Sequence, residues 1–160
     1  MIYEFSLVEI AHRNIAHKFL IQFIWFKLLQ TVDLACDDKR FSTLCTLIAE
    51  YGLADDLSSG LWTIFAPTND AFNSAPPLKD DITFILTEHV IANAMITAED
   101  LVCTEKTEMA NGKKTRTVCK NGVTYQKGSG NSDEVRPEII ETNIEACNGI
   151  IHVVDQVILP

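Results

Sequence analysis

Positive charge is what this sequence has least of. Thirteen Lys and Arg face twenty-two Asp and Glu, a formal charge of -9 over 160 residues. Arg13, Lys18, Lys27, Glu4 and Glu9 fall before residue 31, which leaves ten basic residues against twenty acidic ones in the rest. A body this acidic cannot hold a phosphate backbone by counterion release, which excludes nucleic acid as a partner. Its one basic cluster, Lys113, Lys114, Arg116 and Lys120, reads as the solvated face of a hairpin rather than a polyanion site. Other absences exclude chemistry. There is no Cys-x-x-Cys pair for structural zinc or thiol redox work, and no Gly-x-Ser-x-Gly nucleophile elbow. No Gly-Lys-Ser/Thr follows the loop GSGNSDE at 128–134, so it does not cradle a phosphate. An enzyme reading has no anchor, and no cofactor is expected.

Long apolar runs are missing too. The strongest, FLIQFIWFKLL at 19–29, carries Gln22 and Lys27 and falls short of the roughly 20 apolar residues that span a bilayer. With Arg13 and Lys18 before it, this segment resembles the apolar core of a secretory signal, although no small-x-small site follows at Leu29-Gln30-Thr31. A packed amphipathic helix is the alternative. The expected organisation is therefore an extension over 1–30, a signal or anchor segment, and one domain over 31–160.

What the domain does contain is legible as local structure. Phe41, Leu44, Cys45, Ile48 and Tyr51 recur at helical spacing, which predicts a helix over 31–53, capped near Asp37 or Asp38 and ended by Gly52. LWTIFA at 61–66 has the composition of a buried strand, and Pro67, with no N–H to give, stops its pairing. Thr68 or Asn69 can cap a short helix with Asp70 in its first turn. After Pro76-Pro77, the stretch DDITFILTEHVI places Ile82, Ile85, Leu86, His89 and Val90 on one helical stripe, with Glu88 at its edge where a partner could touch it.

Two Asn-Gly pairs, Asn111-Gly112 and Asn121-Gly122, lie between β-prone runs and predict a three-stranded meander over 109–125. Strands at about 138–144 and 150–159 are expected to close the chain around Asn148-Gly149. Helices early and strands late favour α+β over an alternating parallel sheet.

Cys36, Cys45, Cys103, Cys119 and Cys147 allow two bridges, which would suit an oxidising compartment. The fifth thiol would be free or intermolecular, a route to a homo-oligomer. One bridge follows from register. A three-residue loop Ala110-Asn111-Gly112, with Gly112 left-handed, sets Cys103 opposite Cys119 and within bridging distance. The histidines read as structural. His152 and Asp155 in NGIIHVVDQVILP resemble a base and its orienting acid, but residues three apart on a strand point to opposite faces. Both are expected to be structural, on a central strand, with His152 satisfied by hydrogen bonding. His89, on its apolar stripe, is a half-buried histidine rather than a metal ligand or base.

TIFAPTNDAF (63–72) and NGIIHVVDQVILP (148–160) resemble the two signature motifs of fasciclin-type domains. ILTEHVIANAMITAEDL resembles the family's central helix and following strand, and VDLACDDKRFSTLCTLIAEYGLADDL its opening helices. The likeness runs in order from about residue 31 to Pro160. It implies an α+β fold, a wedge-shaped β-sandwich of about seven strands with helices packed on one side. It also implies non-enzymatic extracellular adhesion, secreted or cell-surface attached, toward a protein or glycan at a cell or matrix surface. In such domains Thr68-Asn69-Asp70 is a fold landmark, with Thr68 structural and Asn69 and Asp70 a contact surface. Animal members use a Tyr-His pair at the end of the central helix for receptor binding; here it is Glu88-His89, without the tyrosine. Asn143 stands where an aspartate is common, and no Asn-x-Ser/Thr glycosylation sequon occurs. The alternative function is a carrier of a small apolar ligand, pigment or lipid, held in a groove between helices and sheet, which residues 19–29 would line or cover.

Overall fold

Apolar and β-branched residues crowd 62–67 and 149–154, and these stretches become the paired centre of the molecule. A computed structural model describes residues 30–78 and 81–160. The expected extension lies, up to Leu29, outside the described residues. Strands β1 (Trp62–Pro67) and β7 (Gly149–Val154) run parallel in register from Trp62↔Gly149 to Pro67↔Val154. Gly149 is required there: a Cβ at this position would sit 2.1 Å from the Trp62 carbonyl oxygen. Strand β2 (Val90–Ala92) pairs antiparallel with β1, and β6 (Ile139–Ala146) with β7, giving a four-stranded sheet in the order β2-β1-β7-β6. A second sheet is the expected meander, β3 (Lys106–Glu108), β4 (Lys114–Lys120) and β5 (Val123–Lys127).

Strand alternation sorts the core into two layers. Ile64, Ala66, Ile151 and Val153 face α1 (Thr31–Asp37), α2 (Ser42–Glu50), α3 (Ala54–Leu57) and α5 (Ile82–Thr87), which contribute Ala35, Leu44, Ile48, Leu57 and Leu86. Phe65 and Val154 on the opposite face pack with Ile91, Leu101, Met109, Ile139 and Ile158. The helices thus cover one side of the main sheet. The remaining helix, α4 (Asn69–Ser74), follows β1 directly.

Three local expectations are corrected. The single helix over 31–53 is two helices around a 3₁₀ turn at Lys39–Phe41. Asp38 is extended (φ -91°, ψ 117°) and its carboxylate accepts from the Arg40 N–H at 2.9 Å, a local bond that competes with helix continuation. Gly52, at φ +70°, does end the second piece. The central helix stops at Thr87, because the His89 carbonyl is taken by the Phe65 N–H of the sheet at 2.8 Å. Strand β7 stops at Val154 rather than 159: Asp155 donates its N–H to the Glu138 carbonyl and accepts the Glu138 N–H at 2.7 Å.

The hairpin register is as expected. Thr107 faces Thr115, Met109 donates to the Lys113 carbonyl, and Gly112 closes the three-residue loop at φ +79°. The Asn121-Gly122 turn has positive φ at both residues, 53° and 81°, the geometry that matches strand twist. Cys103 is bonded to Cys119, with Cα atoms 5.5 Å apart, although Cys103 itself lies in a turn before the start of β3. A second disulfide joins Cys36 to Cys45 across the 3₁₀ turn; Cys147, exposed, belongs to neither bridge. Non-reducing peptide mapping of the folded chain should recover both linkages. Replacing Cys103 and Cys119 by serine, which opens a 16-residue separation, should cost about 3 kcal/mol in a denaturant titration.

Candidate functional site

The strand-to-helix edge at 67–72 is built by three adjacent side chains with separate tasks. Thr68 caps α4, its hydroxyl accepting the Ala71 N–H at 3.2 Å. Asn69 reaches sideways. Its Oδ1 accepts the Thr43 N–H at 2.9 Å and the Ser42 hydroxyl at 3.2 Å, while its Nδ2 donates to the Lys39 carbonyl at 2.9 Å. The first turn of α2 has no side-chain cap of its own, so Asn69 supplies one from another helix. Asp70 alone of the three is exposed. The edge is a clamp that presents one carboxylate to solvent.

Glu88 and His89, expected at a helix end near the surface, are 1% and 2% exposed, and in this conformation neither offers a surface to a partner. The edge position read for Glu88 is corrected by the hairpin loop, which folds over it. Asn111 donates to Glu88 Oε2 at 2.6 Å and to the Phe84 carbonyl at 3.0 Å. Glu88 Oε1 has no hydrogen-bond partner. Burial holds the Glu88 carboxyl above its ordinary 4.5, with Asn111 and Lys113 opposing. His89 donates Nδ1–H to the Ile85 carbonyl at 2.8 Å and accepts the Ile158 N–H on Nε2 at 2.8 Å. Burial lowers its pKa to about 4.

His152 and Asp155 are not brought together. His152 Nε2 donates to the Ile96 carbonyl at 2.9 Å, its Nδ1 faces the Asn143 N–H at 3.4 Å, and its ring stacks on Phe65 with centroids 5.4 Å apart. Asp155 serves Glu138 instead. Among the described residues, no group of three or more His, Cys, Asp or Glu side chains could hold a metal ion.

Sequence reasoning missed three buried amides. Asn148 accepts the Thr31 N–H and donates to the Leu57 carbonyl, tying α1 and α3 to the start of β7. Asn131, in the polar loop, accepts from Gly128 and Leu159 N–H and donates to Val157. Gln126 joins Thr115 and Thr117 inside the small sheet, and the period-two threonines of KTRTVCK were the available signal. For the two asparagines, loop composition carried none.

Helices and main sheet enclose a cleft of about 390 Å³, lined chiefly by Leu44, Ile48, Leu53, Trp62, Leu86 and Val90, with Asp56, Ser59, Thr87 and His89 as its polar members. This is the groove expected between helices and sheet.

A model of the Fasciclin domain matches residues 39–160. The Synechocystis protein sll1735 is 37% identical over 137 residues, 80% of this chain and 96% of its own length. The immunogenic protein MPB70 of Mycobacterium bovis is 30% identical over 140 residues, 79% of this chain and 66% of its own. Among solved structures, a FAS1 domain pair from the insect cell adhesion molecule fasciclin I shares the fold with a TM-score of 0.66 at 18% identity. The match covers 82% of this chain and 51% of that one, so the chain spans about half of the pair.

The buried carboxyl makes a pH test. A folded value raised above the unfolded one means that Glu88 favours the folded state at low pH, and that this contribution is lost as pH rises through the raised value. Glu88→Gln removes the charge and keeps the acceptor for Asn111. Thermal unfolding should show the variant gaining on wild type as pH rises from 4.5 toward 8.

Proposed function

Since the chain belongs to the Fasciclin domain family, we propose that it is a non-enzymatic extracellular interaction module, adhering to a protein or glycan at a cell or matrix surface. The observation that carries this reading is the family match over residues 39–160. Two disulfides support it, because such bonds persist in oxidising compartments. Secretion or surface attachment is part of the proposal. Among the described residues no helix is long and apolar enough to cross a membrane.

Of the four residues expected to meet a partner, Asp70 is the one in position to do so. It stands on a helix start that Asn69 locks against the Lys39–Phe41 turn, so the carboxylate is presented on rigid backbone. A single small acidic surface binds weakly, and adhesion would draw on several copies acting together. Multivalent beads carrying the whole chain should cluster cells or coat matrix above an inert-protein control. Asp70→Lys should weaken that adhesion about tenfold, since a rim charge on a multivalent surface is reversed, and should lower stability only by the lost helix-dipole contribution of about 1 kcal/mol. Adhesion no better than the inert control would overturn the reading.

The cleft supports a second reading, the carrier of a small apolar ligand. Its volume lies within the range of small-molecule sites and its walls are mostly aliphatic. Asp56 among its polar members disfavours an anionic head group. Solvent extraction of protein from its native source should release a stoichiometric apolar compound. Val90→Phe, which fills the cleft beside Trp62 and Leu86, should lower the amount recovered about tenfold while the fold is kept.

A further inference from the structure

After β7 the chain runs from Asp155 to Pro160 without helix or strand, yet Val157 is 2% and Ile158 0% exposed. This segment is held by few polar contacts. Asp155 and Glu138 exchange bonds at its start, and Asn131 and Gly130 hold Val157 and Leu159. Between them, the Ile158 N–H is accepted by His89 Nε2. A carbonyl only accepts, so the bond to Ile85 assigns the imidazole's one hydrogen to Nδ1 and leaves Nε2 as a lone-pair acceptor. A second proton on the ring must go to Nε2. Two N–H groups would then face each other 2.8 Å apart in the core.

We infer that His89 is an acid-released latch on the C-terminal segment 155–160: protonation of its ring evicts the Ile158 N–H and undocks the segment while the four-stranded sheet stays folded. What undocking exposes is apolar, since Ile158 packs in one layer with Phe65, Ile91 and Val154. The chain would thereby present at acid pH a hydrophobic surface that it hides at neutral pH.

No neighbouring charge compensates the protonated ring. Glu88, next in the chain, has its bonded oxygen on Asn111 and lies under the field of Lys113. Asp56 of α3 lines the same cleft, and Asp155 of the segment itself is engaged by the Glu138 N–H. No ion pair to the ring forms among the described residues. The docked ring titrates at about 4 against an ordinary 6.5. A depressed folded value means the latch is fully closed above 6.5 and is lost as pH falls toward 4. Full acidification shifts the docked-to-undocked ratio by roughly 300-fold.

Hydrogen exchange read by mass spectrometry on the whole chain tests this, at neutral pH and at about pH 4, corrected for intrinsic rates. Wild type should lose protection over 155–160 by about tenfold or more at acid pH, while β1 and β7 keep theirs. His89→Gln offers a carbonyl acceptor that does not titrate and should keep the segment protected at both pH values. His89→Phe, with no acceptor, should leave it unprotected at both. Three results would overturn the latch: protection of the wild-type segment at acid pH, loss in His89→Gln equal to wild type, or simultaneous loss in β1 and β7. Equal loss would assign the response to Asp155 or His152 instead. If neither variant folds, an NMR titration of the wild-type His89 ring against the Ile158 amide decides, because the latch requires both to change with one midpoint.

Discussion

Everything else in this domain hangs on the parallel contact between β1 and β7. The two strands lie more than eighty residues apart in sequence, yet they pair from Trp62↔Gly149 to Pro67↔Val154. Parallel strands are stable when both faces are covered, and all six residues of β7 are buried. One face needs helices, supplied by the chain before and between the strands. The other needs a lid, supplied by Met109 of the hairpin region, Leu101 and the C-terminal Ile158. The contact also forces Gly149, since no side chain fits against the Trp62 carbonyl.

Around that pair, single polar side chains tie separate elements to one another. Asn148 holds two helices at the entrance of β7, Asn69 caps a helix from outside it, and Asn131 holds the chain end. An unpaired amide in the interior costs about 1–3 kcal/mol, so each of these groups specifies an arrangement as well as stabilising it. His89 belongs to the same set, with one difference: its capacity to accept a bond depends on protonation. Glu88 differs from these, with one oxygen satisfied and the other not.

The same geometry bears on function. The strand-to-helix edge around Pro67 is a clamp: Asn69 is consumed by holding α2 and the Lys39–Phe41 turn, and Thr68 by capping α4. His152, which with Asp155 resembled a base and its orienting acid, and His89 are each tied to backbone. Of the residues expected at a contact surface, Asp70 is exposed, and an apolar cleft lies between helices and sheet.

Local features were legible in the sequence wherever the deciding force is local. Positive φ at Asn121 and Gly122, the hydroxyl cap at Thr68 and the register that joins Cys103 to Cys119 all depend on residues within one turn or one hairpin. The family's ordered motifs, read from about residue 31 onward, extended this to the fold. Only the tertiary structure decided which polar groups would be dry. Glu88 is buried because a loop more than twenty residues later lands on it, and Asn69 is occupied because a helix start 26 residues earlier needs a cap. It also decided where β7 ends, since Asp155 finds Glu138 across the sheet. Periodicity and propensity describe a chain's neighbours along the sequence, whereas burial is set by neighbours in space.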